Sequence, residues 1–208
     1  MNLENWLKLA ETIAVMSASA TAISGINSWR RELTGKKRYE LAEETLSLFY
    51  KAKDIIHAIR SPFGNADEGK SRPAVPGETP GQKKARDQAY VLWERYLKHE
   101  ETFNNIRALR YRFMAIFGSA AVKPFDYLKA IVHSLSYAVI VLSDAYCERS
   151  ETHVSRTQAE SEKMEKTIRE FQAVTWEGIG KPDRINDDVN EIIAEIEKIC
   201  IPVLSKKQ

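Results

Sequence analysis

The residues from Gly64 to Ser71 read Gly-Asn-Ala-Asp-Glu-Gly-Lys-Ser and match the phosphate-loop pattern G-x-x-x-x-G-K-[ST]. A working phosphate loop follows a buried strand and opens a helix, so that backbone N–H groups and the helix N-terminus converge on the phosphates. Here a helical pattern ends at Pro62, and Pro73 follows the motif closely. The structural context that nucleotide binding needs is therefore missing on both sides.

The side chains inside the motif also argue against a phosphate site. Asp67 and Glu68 place two carboxylates within the segment that would have to cradle an anion. We therefore interpret it as a polar, Gly-rich loop and predict no cofactor. A nucleotide-binding enzyme acting through Lys70 is the less favoured alternative.

Histidine and cysteine spacing favours neither a metal site nor a nucleophile. No histidine pairs with another His or a Cys at metal-ligand spacing, and a di-iron bundle would need Glu-x-x-His pairs that are absent. Cys147 has Asp144 three residues before it but no assignable base, and we expect Cys147 and Cys200 to be buried apolar groups. We predict no catalytic or metal-binding residues and a protein that is not an enzyme. The four histidines are His57, His99, His133 and His153.

Basic and aromatic residues cluster in one stretch, a combination that could stack bases and contact phosphates. Acidic residues interleave with them, and Glu94 and Lys98 have the i,i+4 spacing of a helical ion pair. The net charge of the chain is only +2. We therefore predict a solvated helix face and no nucleic-acid partner. The cluster contains Arg95, Tyr96, Lys98, Arg107, Arg110, Tyr111, Arg112 and Phe113.

The elements that would position these residues are all helices. The chain has 208 residues, 43% of them hydrophobic and 29% charged, which suits a globular domain with its own core. Apolar residues recur at intervals of three and four, and no run has the period of two that marks a strand. The predicted helices cover Leu41 to Ile59, about Gln82 to Phe117, Pro124 to Tyr146 at the centre of the bundle, a polar stretch from Glu148, and a last helix with Asn186 as N-cap that ends at Pro202. Residues 61–81 hold four of the seven Pro and four of the nine Gly, and are predicted to form a flexible loop.

The N-terminal segment has a separate character. Between Lys8 and Arg30 lie twenty-one residues with Glu11 as the only charge, about the length that spans a bilayer. Eight of them are Ser, Thr, Asn or Gly, which makes insertion marginal. The predicted anchor residues, bracketed by two interfacial tryptophans, are Trp6, Ile13, Met16, Ile23, Ile26 and Trp29.

Two further patterns in this segment favour a membrane. Five basic residues follow the apolar stretch and would bind anionic lipid headgroups on the cytoplasmic side, each contributing about 1 kcal/mol. Small residues repeat every four positions, a spacing that lets helices approach closely in lipid and predicts an oligomer. The basic residues are Arg30, Arg31, Lys36, Lys37 and Arg38, and the small residues are Ala14, Ala18 and Ala22 with Ser17, Thr21 and Gly25.

A soluble alternative uses the same residues. Spacings of three and four also connect Trp6, Leu9, Ile13, Met16, Ala20 and Ile23, which is the seam of an ordinary soluble helix. This alternative predicts a cytoplasmic helical-bundle binding protein whose first helix packs into its own core. No basic region precedes the apolar stretch, so a cleaved signal peptide is disfavoured.

Three segments of the chain resemble a known family. They are Trp29 to Phe63, the run RYRFMAIFGSAAVKPFDYL, and the closing EIEKICIPVL. They are similar to a family of uncharacterised bacterial proteins that pair a short N-terminal membrane helix with a helical cytoplasmic domain. The resemblance implies a bacterial inner-membrane protein whose C-terminal domain is cytoplasmic, and it assigns no functional residue.

These observations predict an all-α protein with two parts. Residues 1–38 form an anchor or assembly helix with a basic junction, and residues 39–208 form a bundle of four to five long helices. The predicted function is that of a non-enzymatic, membrane-associated scaffold, sensor or interaction module in a bacterial envelope or defence system. It would act as a homo-oligomer or in a heteromeric protein complex, without a small-molecule substrate.

Overall fold

The computed structural model describes residues 3–151, 156–179 and 181–205, and at residues 3–11, 13, 18–20 and 23 it describes the backbone alone. Over these residues the chain is helical and contains no strand, which confirms the predicted all-α bundle. The elements are α1 (Leu3–Ile59), α2 (Pro80–Leu97), α3 (Glu100–Phe117), a short 3-10 helix (Ser119–Val122), α4 (Lys123–Ser150), α5 (Gln158–Thr175) and α6 (Arg184–Leu204).

Helix α1 is a single element of 57 residues and runs without interruption across the predicted boundary at residue 38. None of its described side chains before Tyr39 is buried, whereas Leu41 and Ala42 are almost wholly buried. Burial begins there because the apolar seam from Leu41 to Ile59 starts at that turn. We call residues 3–38 the α1 arm, and residues 39–59 belong to the bundle.

Helix α4 lies at the centre of the bundle, as its apolar sequence predicts. It packs against α2, α5 and α6, while the bundle part of α1 packs mainly against α6 and α3. Helices α1, α3 and α4 meet at Phe125 of α4. Its ring centroid lies 4.9 Å from that of Phe49 on α1 and 5.2 Å from that of Phe113 on α3. A smaller apolar cluster forms where α2, α4 and α5 meet, around Ala89, Leu142 and Ile168.

The prediction of one helix from Gln82 to Phe117 was wrong, because the chain breaks between α2 and α3. His99 leaves helical geometry with φ −122° and ψ 8°. The break lets α2 pack against α4 and α3 pack against α1, which one straight helix cannot do. Tyr96 and Phe103 keep their rings 5.1 Å apart across it, so the apolar pattern continues although the helix does not.

The polar helix predicted from Glu148 also begins in the wrong place. Helix α4 continues to Ser150, and α5 starts only after Thr157. The Thr157 hydroxyl accepts a hydrogen bond from the Glu160 N–H, and the Glu160 carboxylate accepts one from the Thr157 N–H. This capping box sets the start of α5.

Both predicted ends of the last helix were wrong. The N-cap is Asp183 rather than Asn186, and its carboxylate accepts a hydrogen bond of 3.2 Å from the Asn186 N–H. Pro202 lies inside the helix, which ends at Leu204. The helix tolerates this proline because it falls in the last turn, where the Ser205 N–H still bonds to the Ile201 carbonyl at 2.9 Å.

Candidate functional site

The α1 arm presents apolar side chains that the bundle does not cover. The predicted anchor residues Met16, Ile26 and Trp29 are 67%, 52% and 63% exposed. The side chains of the other three, Trp6, Ile13 and Ile23, lie outside the described residues. The backbone from residue 9 to residue 29 is helical throughout and rises about 30 Å, which matches the hydrocarbon thickness of a bilayer.

Two small residues of the arm, Ser17 and Thr21, bind their side-chain hydroxyls to the backbone of the same helix. Ser17 Oγ donates to the Ala14 carbonyl at 2.9 Å, and Thr21 Oγ1 donates to the Ser17 carbonyl at 2.8 Å. A hydroxyl that forms a hydrogen bond within its own helix costs less free energy to transfer into lipid than an unpaired hydroxyl. Ala14, Ser17, Thr21, Ala22 and Gly25 are exposed, while the Ala18 side chain is among those not described.

The five basic residues of the junction, Arg30, Arg31, Lys36, Lys37 and Arg38, are all exposed on the helix. Arg30 and Lys37 are seven residues apart, as are Arg31 and Arg38, so these four cations share one side of α1. The guanidinium of Arg38 lies 5.1 Å from the centroid of the Phe117 ring, and this contact marks where the arm meets the bundle.

Among the described side chains, a length and hydropathy criterion for membrane spans selects one helical stretch. This stretch, Ser119–Ser150, has a mean hydropathy of 1.4, and half of its most apolar window is buried in the bundle. The core helix of a soluble protein has the same properties. The criterion does not cover the arm, because most side chains of residues 3–20 are not described. The predicted anchor at residues 9–29 therefore stays a prediction.

The phosphate-loop-like segment holds a carboxylate of the chain itself. Glu94 Oε2 accepts hydrogen bonds from the Gly69 N–H at 2.7 Å and from Ser71 Oγ at 2.8 Å. Lys70 Nζ is paired with Asp67 at 2.5 Å. The groups that would face a bound phosphate thus contact Glu94 and Asp67 instead. Hydrogen bonding from Ser71, supported by Gly69 and Lys98, lowers the pKa of Glu94.

Two arginines, Arg72 and Arg95, connect the rest of the loop to α2. The amino-acid composition of the loop did not predict these contacts. Arg95 pairs with Glu68 at 2.5 Å and donates to the carbonyls of Ser61 and Phe63 at 2.6 and 2.8 Å. Arg72 binds Glu78 and Asp87 at 2.9 and 3.1 Å. Glu68, Arg72 and Glu78 of the loop thus form ion pairs with side chains of α2, and the flexibility of the loop stays a prediction.

A buried polar network joins the end of α1 to the turn between α5 and α6. Arg60 is fully buried and donates to both carboxylate oxygens of Asp183. Beside it, the His57 ring lies 2.9 Å from the Glu177 carboxylate, which also accepts a hydrogen bond from the Asn186 amide. Sequence patterns gave no signal for this network, because its two ion pairs join residues more than a hundred positions apart and charged residues usually lie on the surface.

The predicted basic and aromatic cluster is divided by the fold. Tyr96 and Phe113 are buried, and Arg95 is used by the loop. Arg107, Arg110 and Tyr111 instead line a groove between α3 and α4 with a volume of about 330 Å³. The predicted helical ion pair between Glu94 and Lys98 is present at 3.3 Å.

Helix α4 contributes the other wall of this groove, which we call the α3–α4 groove. Lys129, Val132 and His133 line it, and Asp126 lies at its edge. His133 is exposed. The basic and aromatic cluster predicted from the sequence contained the groove residues of α3 but none of the groove residues of α4.

The described residues contain no group of three or more His, Cys, Asp and Glu side chains arranged to hold a metal ion. The expectation for the two cysteines is confirmed, since Cys147 and Cys200 are both buried and lie in separate core clusters. Burial raises the pKa of Cys200 to about 12, and burial also raises the pKa of Cys147. Neither thiol is therefore activated as a nucleophile.

Comparisons of the chain with protein-family models, with curated proteins and with solved structures find no match. The resemblance to bacterial membrane-anchored helical proteins therefore stays a prediction.

Proposed function

We propose that this chain is a non-enzymatic, membrane-associated helical protein that acts as an oligomeric scaffold, sensor or interaction module. The α1 arm anchors and assembles it, and the bundle of residues 39–205 lies at the cytoplasmic face of a bacterial inner membrane. A bacterial envelope or defence system is the proposed setting.

The observation that carries this proposal is the exposure of the α1 arm. The apolar side chains of Met16, Ile26 and Trp29 on the arm are each more than half exposed. A long apolar surface that its own domain leaves uncovered usually marks a contact with another protein or with a membrane. Lipid, or other copies of the arm within lipid, would cover this surface.

The sequence of the arm suits such an environment. One charge occurs between Lys8 and Arg30, and the hydroxyls of Ser17 and Thr21 are bonded within the helix. The basic junction follows at the position where anionic headgroups would lie. A marginally apolar helix with small-residue spacing is more stable in contact with other helices, which supports an oligomer.

The alternative is a soluble, cytoplasmic helical-bundle binding protein. One observation favours it: the stretch of the described residues that is apolar enough to span a membrane, Ser119–Ser150, is half buried in the bundle, as the core helix of a soluble protein is. On this alternative, copies of the arm would cover one another in water through the seam of three and four spacings.

Membrane fractionation with an alkaline carbonate wash separates these proposals. The full chain should stay in the membrane pellet. Met16→Asp should move it towards the supernatant, because a carboxylate near the bilayer centre costs about 2.5–3.5 kcal/mol. Ile140→Asp is the matched control, since Ile140 is 58% exposed on the bundle and should tolerate the same change. Recovery of the unmodified chain entirely in the supernatant would support the soluble alternative.

A further inference from the structure

The α3–α4 groove combines an apolar floor with a cationic rim. Phe103, Ile106, Phe125 and Leu128 form the floor and are at most 4% exposed. The groove exists because α3 packs mainly against α1, while α4 packs mainly against α2, α5 and α6. Its volume of about 330 Å³ lies at the lower end of the range for small-molecule sites.

The charges on the rim are not balanced within the protein. Three cationic side chains face one carboxylate, that of Asp126. Arg110 already binds both oxygens of Asp126, at 3.0 and 3.1 Å. Arg107 donates to the neutral side chain of Asn104, and Lys129 forms no ion pair with any residue that the structure describes. Two positive charges therefore stand beside the apolar floor without a counter-charge.

We propose that the α3–α4 groove binds an organic phosphate that carries a short apolar group. Arg107 and Lys129 bind the phosphate, because a guanidinium and an ammonium both form strong charge-assisted hydrogen bonds with phosphate oxygens. The apolar group of the ligand lies over the floor and packs against Tyr111 and Val132, the lining side chains that keep exposed apolar surface. Inorganic phosphate would leave this surface in water, and a neutral apolar compound would leave both cations without a counter-charge.

This inference does not rest on the proposed membrane function, because no residue lining the groove belongs to α1. The phosphate could come from a lipid headgroup or from a soluble ester, since both present the same chemistry to Arg107 and Lys129. Tyr111 lines one side of the groove and is 67% exposed, so a phosphate from either source can reach it.

Isothermal titration calorimetry of the full chain with hexyl phosphate tests the proposal, with the protein in phosphatidylcholine nanodiscs where the arm requires them. We expect one binding site per chain. Hexanol and inorganic phosphate should each bind at least about tenfold more weakly, as should hexyl phosphate to Lys129→Glu. Lys84→Glu is the matched control, because Lys84 is exposed on α2, far from the groove in the sequence and not part of its lining. Circular dichroism verifies that both variants fold.

Absence of binding to the unmodified chain would overturn the proposal, as would equal affinities of Lys129→Glu and Lys84→Glu. Equal binding of inorganic phosphate and hexyl phosphate would also overturn it, since the apolar surface of the groove would then contribute nothing. Phosphatidylglycerol nanodiscs identify the source. Weaker hexyl phosphate binding in them supports the groove with a lipid headgroup as occupant, and unchanged binding supports it with a soluble ester.

Discussion

Arg60 and Asp183 form a buried ion pair that joins the end of α1 to the start of α6. Arg60 Nη2 lies 2.9 and 3.1 Å from the two carboxylate oxygens, and the Arg60 side chain is fully buried. The same guanidinium donates to the carbonyls of Val174 and Ala173 at the end of α5. One side chain therefore holds three helix ends together, and Asp183 also caps α6.

Replacement of Arg60 by methionine should lower the free energy of unfolding by about 3 kcal/mol, because it leaves the partly buried Asp183 carboxylate without its partner. Urea denaturation followed by circular dichroism measures the change. Arg112→Met is the matched control, since Arg112 pairs with Glu44 on the surface at 3.4 Å and should contribute less than about 1 kcal/mol. Equal losses in the two variants would contradict a special role for the buried pair.

Acid should destabilise the bundle through the same network. Burial alone would raise the pKa of Asp183, but hydrogen bonds from Arg60 and from the Asn186 N–H outweigh it and lower the pKa below its ordinary value of 3.8. A hydrogen bond from Asn186, followed by one from His57, lowers the pKa of Glu177 below 4.5. Groups with a lowered folded-state pKa stabilise the fold above their unfolded-state pKa, and this contribution is lost as the pH falls.

The free energy of unfolding should therefore fall as the pH drops below about 5, through the unfolded-state carboxyl pKa values of about 4 and towards the lower folded-state values. Urea denaturation at a series of pH values measures the slope. Asp183→Asn should flatten this slope, because the variant has one fewer carboxylate to protonate. Asp188→Asn on the exposed face of α6 should leave the slope unchanged.

Helix periodicity predicted those elements whose buried side chains recur along the whole length of one helix. The seam from Leu41 to Ile59 and the apolar length of α4 both appear as buried faces, because spacing of three and four follows directly from packing. The break at His99 escaped the same method. Tyr96 and Phe103 are seven residues apart, so their spacing fits one continuous helix as well as two helices in contact.

The polar contacts of the loop and of the Arg60 network could not be predicted from local sequence patterns, because each joins residues far apart in the chain. Glu94 lies 25 residues from Gly69, and Asp183 lies 123 residues from Arg60. The side chains of the α3–α4 groove show the same limit, since Arg107 was part of a visible cluster and Lys129 was not. The rotation of one helix against another decides which residues share a groove, and single-helix periodicity does not specify it.

A methyl group at Gly69 should open the loop that Glu94 holds. Gly69 has φ +86°, and a Cβ atom there would lie 1.9 Å from the Asp87 carbonyl oxygen, so Gly69→Ala requires the backbone to move. Gly77 has a similar φ of +79° and open space around it. Gly77→Ala should therefore cost only the strain of a positive φ, about 1–2 kcal/mol. Gly69→Ala should destabilise the chain more than that.

Limited proteolysis within residues 61–79 detects the release of the loop in this pair of variants. Cleavage should be clearly faster in Gly69→Ala than in Gly77→Ala, because only the former displaces the loop from α2. Equal rates in both variants would mean that the contacts with Glu94 and Asp87 do not restrain the loop.

The basic junction should strengthen binding to anionic membranes. Replacing Arg30 and Arg31 by glutamine should weaken association with phosphatidylglycerol vesicles by about 2 kcal/mol at low salt, because each cation near the surface contributes about 1 kcal/mol. Vesicle co-sedimentation measures the change. Lys163→Gln with Lys166→Gln removes the same charge from the exposed face of α5 and should have no effect. Equal losses would assign the binding to net charge rather than to the junction.

Gly25 and Gly35 provide a test of assembly through the arm. A Cβ atom at either position meets no other atom within 4 Å, so leucine fits both sites of a single chain without strain. Gly25 belongs to the small-residue spacing with Ser17 and Thr21, and Gly35 does not. If arms pack closely in lipid, Gly25→Leu should hold the two backbones apart and reduce the oligomer, whereas Gly35→Leu should leave it intact.

Chemical cross-linking in membranes, or mass photometry of nanodisc-bound protein, reports the oligomeric state of both variants. Both substitutions raise helix propensity by a similar amount, so any difference between them reflects contact between chains. An oligomer that is lost in Gly25→Leu alone supports close packing through Ser17, Thr21 and Gly25. An oligomer that survives in both variants assigns assembly to another surface. An oligomer that is lost in both variants indicates a contact beyond the apolar stretch, towards the basic junction.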